Sequence, residues 1–459
     1  MKTVVIDIGS SFLKAAVLDV ENACIVDERK FPSPEKLRYE DPYLFEVPAD
    51  VYVDFVKGLV DEYAGSFPDL EGLLLSTQMH GFIYSIPGKP DVYISWQDMR
   101  CLHKVKGSDE NYLTLLQKIF PPESMEDCGV YIKPALGMAN LYTMLHEDPS
   151  IPRDGTLYTL GSYIIAKLTG NNICHATNAG PLGLLNVKKH CWHEDVIRTA
   201  GLEQVKLPRL AQTDFEVCGV YETCGKSIKV FPDYGDQQVC VVGSLPRKGE
   251  GLINIATASQ VGRITDSFIP GSYEIRPYFD GLYLTTVSNM PAGRGLDVLI
   301  HFLQSTVEAV TGEKPTVPQM WDAIAKDFRQ DAAGLEVDMT FYATAAKPDG
   351  GHIKGIHQHN LSLSTLFSAA FEDMAKTYKE HLAILSGGEK LPAVVCSGGV
   401  SWKRPELIAQ IRKTMGCDCR LSALKDEAMS GLYRVALCCM GICTGLEDKP
   451  HLLLQLKAK

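Results

Sequence analysis

The chain is predicted to be an α/β protein of two related domains, and three observations carry that expectation. Short strand-like runs open the sequence, helical runs alternate with further strands, and the opening hairpin is echoed about half a chain later. The first strands are Thr3 to Ile8, Leu13 to Asp19 and Cys24 to Lys30, a β-meander punctuated by Gly9-Ser10-Ser11 and by Glu21-Asn22. Between Ala49 and Gly65 the apolar residues Val53, Val56, Leu59, Val60 and Tyr63 recur at three and four positions, so a helix precedes the strand Gly72 to Ser76. Helices follow between Tyr112 and Leu145 and over Leu160 to Leu168, the last stopped by Thr169-Gly170. In the second half, Leu252-Ile253-Asn254-Ile255-Ala256-Thr257-Ala258-Ser259 echoes Val5-Ile6-Asp7-Ile8-Gly9-Ser10-Ser11, although hairpins with small hydroxylic turns also resemble one another without duplication. The turn-rich Pro246-Arg247-Lys248-Gly249-Glu250-Gly251 reads as a linker, which gives domains over 1–245 and 246–459. The strand Pro392 to Cys396, a helix with Leu407, Ile408, Ile411 and Met415 on one face, the strand Cys419 to Leu421 and a helix from Asp426 to Cys439 complete the second half.

Composition narrows the function. With 45% hydrophobic and 22% charged residues the chain has the balance of a folded globular protein, and a net charge of -11 disfavours nucleic acid and anionic lipid as partners. No apolar run approaches the ~20 residues that cross a bilayer, and Met1-Lys2-Thr3-Val4 runs into a strand rather than a signal peptide. Fourteen cysteines include no CxxC pair, which argues against structural zinc and for reduced thiols in the cytoplasm.

Four stretches carry chemistry. Asp7-Ile8-Gly9-Ser10-Ser11 sets a carboxylate at a strand end, before a turn whose N–H groups and hydroxyls converge on an anion, with Lys14 as countercharge; an Asp packed on its own turn fits the same residues. Gly225-Lys226-Ser227 is no Walker A loop, because Val220 stands where the leading Gly belongs. Asp236, in Gly235-Asp236-Gln237-Gln238, is the candidate general base, and equally a helix N-cap. Gln78-Met79-His80-Gly81 and Trp96-Gln97-Asp98-Met99-Arg100 offer the amides, carboxylate and aromatic face that polyol recognition needs, whereas a lone His beside Met is also an ordinary core residue.

In this order, with Leu168-Thr169-Gly170, Thr177-Asn178-Ala179 and Ser397-Gly398-Gly399, these motifs make the chain resemble the FGGY carbohydrate kinases over nearly its whole length. The resemblance implies two actin-like, ribonuclease-H-like domains with an active-site cleft between them. Asn254-Ile255-Ala256-Thr257-Ala258-Ser259-Gln260, which lacks the usual Gly of the second phosphate motif, and Pro277-Tyr278-Phe279 are similar to the sedoheptulokinase branch. The implied activity is ATP- and Mg²⁺-dependent phosphorylation of a free ketose by a cytoplasmic monomer or homodimer. Gln78, Met79, His80 and Asp98 are then expected to line the sugar pocket, with Asp236 as catalytic base. Gly9, Ser10, Ser11, Lys14 and Thr257 are expected on the phosphates, Gly398 and Gly399 at the adenosine, and Asp7 and Asp236 at the metal. An actin-like ATPase acting on a protein has no use for the sugar motifs; a silent sugar sensor fits Ala256 and Ala258, but not retention of Asp7 and Asp236.

Overall fold

An unbroken Val4-Val5-Ile6 run is what a strand buried on both faces requires, and β1 (Lys2–Ile8) lies inside its sheet. The computed structural model describes residues 1–342, 350–449, 451–454 and 457–458. They fall into two units: Met1–Ser244 with Asp266–Leu284 and Asp426–Lys459, and Leu245–Thr265 with Thr285–Lys425.

In the first unit, β1, β2 (Phe12–Asp19) and β3 (Cys24–Pro32) form the expected antiparallel meander. β4 (Leu70–Thr77) joins β1 in parallel, β5 (Gly219–Thr223) and β6 (Lys226–Gly235) form a hairpin, and β6 lies parallel to β4, giving the order β5-β6-β4-β1-β2-β3. The helix Ala49–Ser66 leads into β4 and buries Tyr52, Val56, Val60 and Tyr63 in one core with Val4, Ile6, Leu73 and Leu75. Each such side chain contributes about 1.5–3 kcal/mol of burial. Gly225-Lys226-Ser227 sits at the β5–β6 turn, with Lys226 held by the Phe67 carbonyl at 2.7 Å, so it serves the hairpin.

An insertion between β4 and β5 has its own core around Phe82, Leu116, Met138, Leu141 and Leu157. Its expected helical stretch is two helices, Tyr112–Ile119 and Gly137–Glu147, because Pro121 and Pro122 cannot continue the first and Gly129 turns the chain at φ 65°. The helix Leu160–Thr169 starts with a Thr159–Ser162 capping box and ends at Gly170, φ 83°.

After Gly235 the chain enters the helix Asp236–Ser244, which crosses Glu427–Cys439 at two glycines. A Cβ on Gly243 would meet the Glu427 carbonyl at 1.9 Å, and one on Gly431 would meet the Val239 carbonyl at 1.9 Å. Only glycines permit this approach.

The second unit repeats the plan. β7 (Gly251–Ile255) and β8 (Ser259–Thr265) form a hairpin, β9 (Tyr283–Met290) follows β8, and β10 (Ala393–Ser397) and β11 (Asp418–Leu421) extend β7 in parallel, in the order β9-β8-β7-β10-β11. The helix Leu363–Leu385 precedes β10 as Ala49–Ser66 precedes β4, and Pro405–Met415 joins β10 to β11. No helix among the described residues is long and apolar enough to cross a membrane.

Candidate active site

Three parallel strands of the first unit end side by side, in a register that pairs Asp7 with Ser76 and Gly235 with Thr77. Their carboxyl ends therefore bring Asp7, Gln78 and Asp236 to one edge of the sheet, where α/β folds place ligands. Asp7 is 9% exposed and accepts from Ser76 Oγ at 3.0 Å. Burial pushes its carboxyl up to about 6, against the pull of Lys14 and Ser76, and Asp426 adds to the rise. Burial also opposes the charge on Lys14, but Asp426 and Asp7 outweigh it and hold the ammonium above its ordinary range. Lys14 Nζ donates to Asp426 Oδ2 at 2.7 Å. The Gly9 N–H closes the turn on the Phe12 carbonyl at 3.1 Å, leaving Ser10 and Ser11 exposed.

Asp236 is the first residue of its helix and accepts from the N–H of its neighbour Gln237 at 2.8 Å. Its half-buried carboxyl is pushed up to about 7 by burial and then by the charge of Asp7, while the Gln237 N–H and Arg276 pull the other way. The strand beneath it is fixed by a buried network. Thr159 donates to Asp233 Oδ2, the His175 N–H to Asp233 Oδ1 at 2.8 Å, and the Gly235 N–H to Thr177 Oγ1 at 3.0 Å. Gly161 is needed here too, since its Cβ would lie 2.1 Å from that of Asp233.

Gln78 donates its N–H to the Ile8 carbonyl at 3.1 Å and so continues beside β1. Met79 packs against Gly235, where a Cβ would lie 2.6 Å from its sulfur. His80 sits at φ 68°, a strained conformation for a residue with a Cβ. Burial, then Lys133 and Arg276, hold its imidazole far below the usual range, so the ring is neutral. Its Nδ1 is buried and makes no hydrogen bond of ordinary geometry.

Asp98 is engaged within the protein. It is fully buried, and its oxygens accept from Arg100 Nε and Nη2 at 2.8 Å each, from the Arg100 N–H at 3.0 Å and from the Phe45 N–H at 2.8 Å. These four bonds engage the carboxylate within the protein, so a direct sugar contact would have to displace one of them. The phosphate and adenosine candidates of the second unit share one sheet edge. Thr257 is exposed in the β7–β8 turn, and Gly398, φ 85°, touches the end of β7, where a Cβ would lie 2.5 Å from the Ile255 carbonyl. Gly399 follows it, exposed, at the start of the helix Gly399–Lys403.

Sequence reasoning missed Arg276, Glu274 and Lys133. Arg276 Nη1 donates to Gln237 Oε1, beside Asp236, and Arg276 Nη2 lies 3.5 Å from His80 Nε2. Glu274 accepts from Arg276 Nε at 2.9 Å and Nη2 at 2.6 Å, and from Lys133 Nζ on its other oxygen. Despite burial, Arg276 and Lys133 hold the Glu274 carboxyl far below the usual range. A signal was present in Glu274-Ile275-Arg276, two opposite charges on one face of a short strand that also buries Ile275.

A model of the FGGY family of carbohydrate kinases, N-terminal domain, matches residues 2–244. Glycerol kinase 2 of Saccharolobus solfataricus is 25% identical over 219 residues, 44% of this chain and 39% of that protein. Glycerol kinase of Haloarcula marismortui is 26% identical over 261 residues, 52% of this chain and 50% of its own. The chain thus spans half or less of the length of these curated relatives. Two solved structures extend the likeness in fold to the whole chain. Plasmodium falciparum glycerol kinase with ADP has a TM-score of 0.83 at 18% identity, covering 99% of this chain and 92% of that one. Ligand-bound xylulose kinase from Lactobacillus acidophilus has a TM-score of 0.81 at 16% identity, covering 99% and 95%. The fold is accordingly the two-domain actin-like one, each domain ribonuclease-H-like. With its first 244 residues matched almost from end to end, and the paired sheets the resemblance called for, the chain belongs to the FGGY family of carbohydrate kinases.

Proposed function

We propose that the protein transfers the γ-phosphoryl group of ATP to the terminal hydroxyl of a ketose or related polyol, with sedoheptulose the first substrate to test. The observation that carries this reading is Asp236, a half-buried carboxylate raised to about 7 and set beside Asp7 at the ends of parallel strands. A base titrating near working pH combines a substantial ionised fraction with good proton affinity. Asp236 accepts the hydroxyl proton as the sugar oxygen bonds to phosphorus and the bond to the β-phosphate oxygen breaks, releasing ADP. The proton leaves late in a loose transition state, so no alkoxide forms beforehand. Gln78, Met79 and His80 orient the sugar, and Asp98 acts through the loop that it ties to Arg100. Gly9, Ser10, Ser11, Lys14 and Thr257 bind phosphate, and Gly398 and Gly399 admit the adenosine. In this reading residues 1–245 bring the sugar site and first phosphate motif, and 246–459 the second phosphate motif and adenosine site.

Asp7 and Asp236 form a hard-oxygen donor pair whose charges repel, which suits Mg²⁺ held largely through water. When bound, that ion neutralises charge on the β- and γ-phosphates. No cluster of three metal-ligating side chains occurs among the described residues. We place the enzyme in the cytoplasm, as a monomer or homodimer.

The test is ADP release over sedoheptulose, xylulose, ribulose, fructose and glycerol. Turnover that depends on one of these supports the reading and names the acceptor. Sugar-independent ATP hydrolysis contradicts it, as does sugar binding without any ATP binding in calorimetry, which identifies a sensor.

A further inference from the structure

Arg276 touches His80, a candidate of the sugar site, and Gln237, which follows Asp236, and it does so with a rigid fork. Its Nε and Nη2 are anchored on Glu274, Nη1 reaches Gln237 Oε1, and the second Nη2 hydrogen points to His80 Nε2 at 3.5 Å. Lys133 holds the other oxygen of Glu274, so the anchor is secured from both sides. Arg276 is 5% exposed and Glu274 4%, too deep for a surface ion pair. A guanidinium only donates, so both contacted atoms must be acceptors. That fixes two assignments: Gln237 turns its carbonyl toward Arg276 and its NH₂ away, and His80 carries its proton on Nδ1, the nitrogen away from Arg276.

We infer that Arg276 is the positioning residue of the sugar pocket, setting the amide orientation of Gln237 and the Nδ1–H tautomer of His80. This rests on the kinase reading for its consequence but not for its geometry. A lysine keeps the charge that Glu274 needs, yet a single ammonium cannot hold Glu274, Gln237 and His80 in one plane. Arg276→Lys therefore separates positioning from folding.

The experiment uses histidine ¹⁵N spectra of the ligand-free protein, together with kinetics. In the wild type, His80 should show an unprotonated Nε2 and a protonated Nδ1, and in Arg276→Lys a mixture of tautomers. The half-saturating sugar concentration should rise roughly 10–100-fold, the scale of a lost charged hydrogen bond, with kcat within about threefold and the half-saturating ATP concentration unchanged. A wild-type His80 protonated on Nε2 overturns the inference without any variant, as does an Arg276→Lys protein with an unaltered tautomer. If no sugar is turned over at all, the kinase reading fails alone and the spectra still decide this one.

Discussion

The hairpin β1–β2 and the hairpin β7–β8 occupy the same place in their respective sheets, yet they carry different chemistry. Asp7 is in register with Ser76 on the parallel neighbour and with Lys14 on the antiparallel one. Asn254 is in register with Ser397 and Gln260 in the same two directions. Even the side-chain bond recurs: Ser76 Oγ to Asp7 Oδ1 at 3.0 Å, and Asn254 Nδ2 to Ser397 Oγ at 3.0 Å. What differs is charge, an acid and a cation in the first unit against two amides in the second. A buried carboxylate costs desolvation energy, which shows in Asp7 as a carboxyl raised to about 6; an amide avoids that cost. The fold thus keeps one geometry twice and carries the ionised acid once, where Asp236 is also found.

Perturbing that asymmetry should give effects of decreasing size. Asp236→Asn removes the base and should lower turnover roughly 10²–10⁴-fold with sugar and nucleotide binding retained; near-normal turnover would end the assignment. Asp7→Asn makes the first hairpin chemically like the second and should cost roughly 10²-fold in turnover, measured at saturating Mg²⁺ and ATP. The reverse change, Asn254→Asp, sets an extra negative charge near incoming phosphates and should raise the half-saturating ATP concentration about tenfold, some 1.4 kcal/mol. An unchanged value would remove the second hairpin from the nucleotide site.

The pH dependence follows from the same contrast. Turnover should fall about tenfold per pH unit once the medium is acidic enough to protonate Asp236, below about 7. Stability runs the other way. Asp236 has a folded-state value near 7 and an ordinary unfolded value of about 4, so between these the native state binds the extra proton and the stability contribution grows as pH falls. Above pH 7 the ionised group is a liability, so Asp236→Asn should raise the thermal midpoint there and lose the advantage toward pH 4. A lower midpoint at pH 8 would show that the carboxylate stabilises the fold.

The meander and its crossover helix were legible because their signals are local. Short apolar runs between turn residues mark β1 to β3, and the three-and-four spacing of Val53, Val56 and Val60 marks the helix that buries them. Asp7 and Asp236 were legible as residues, at strand ends beside glycines. Their neighbourhood was not, since Arg276 meets His80 across 196 positions and no spacing rule spans such a gap. Asp98 was legible as a charge in a polar motif, but the motif alone does not show that Arg100, two residues on, occupies its carboxylate. Long-range pairing of buried charges is set by tertiary packing, which periodicity does not encode.

The glycine crossing at Gly243 and Gly431 bears on how the molecule is made. The helix that starts with Asp236 leans on Glu427–Cys439, a segment that leaves the ribosome about 190 residues later, roughly 10–40 s at ordinary elongation rates. Until then the nascent chain exposes the flank that this late helix will cover, and the helix opened by Asp236 lacks its packing partner. The packing of this helix is therefore a late, long-range step of folding, made only after Gly431 has emerged.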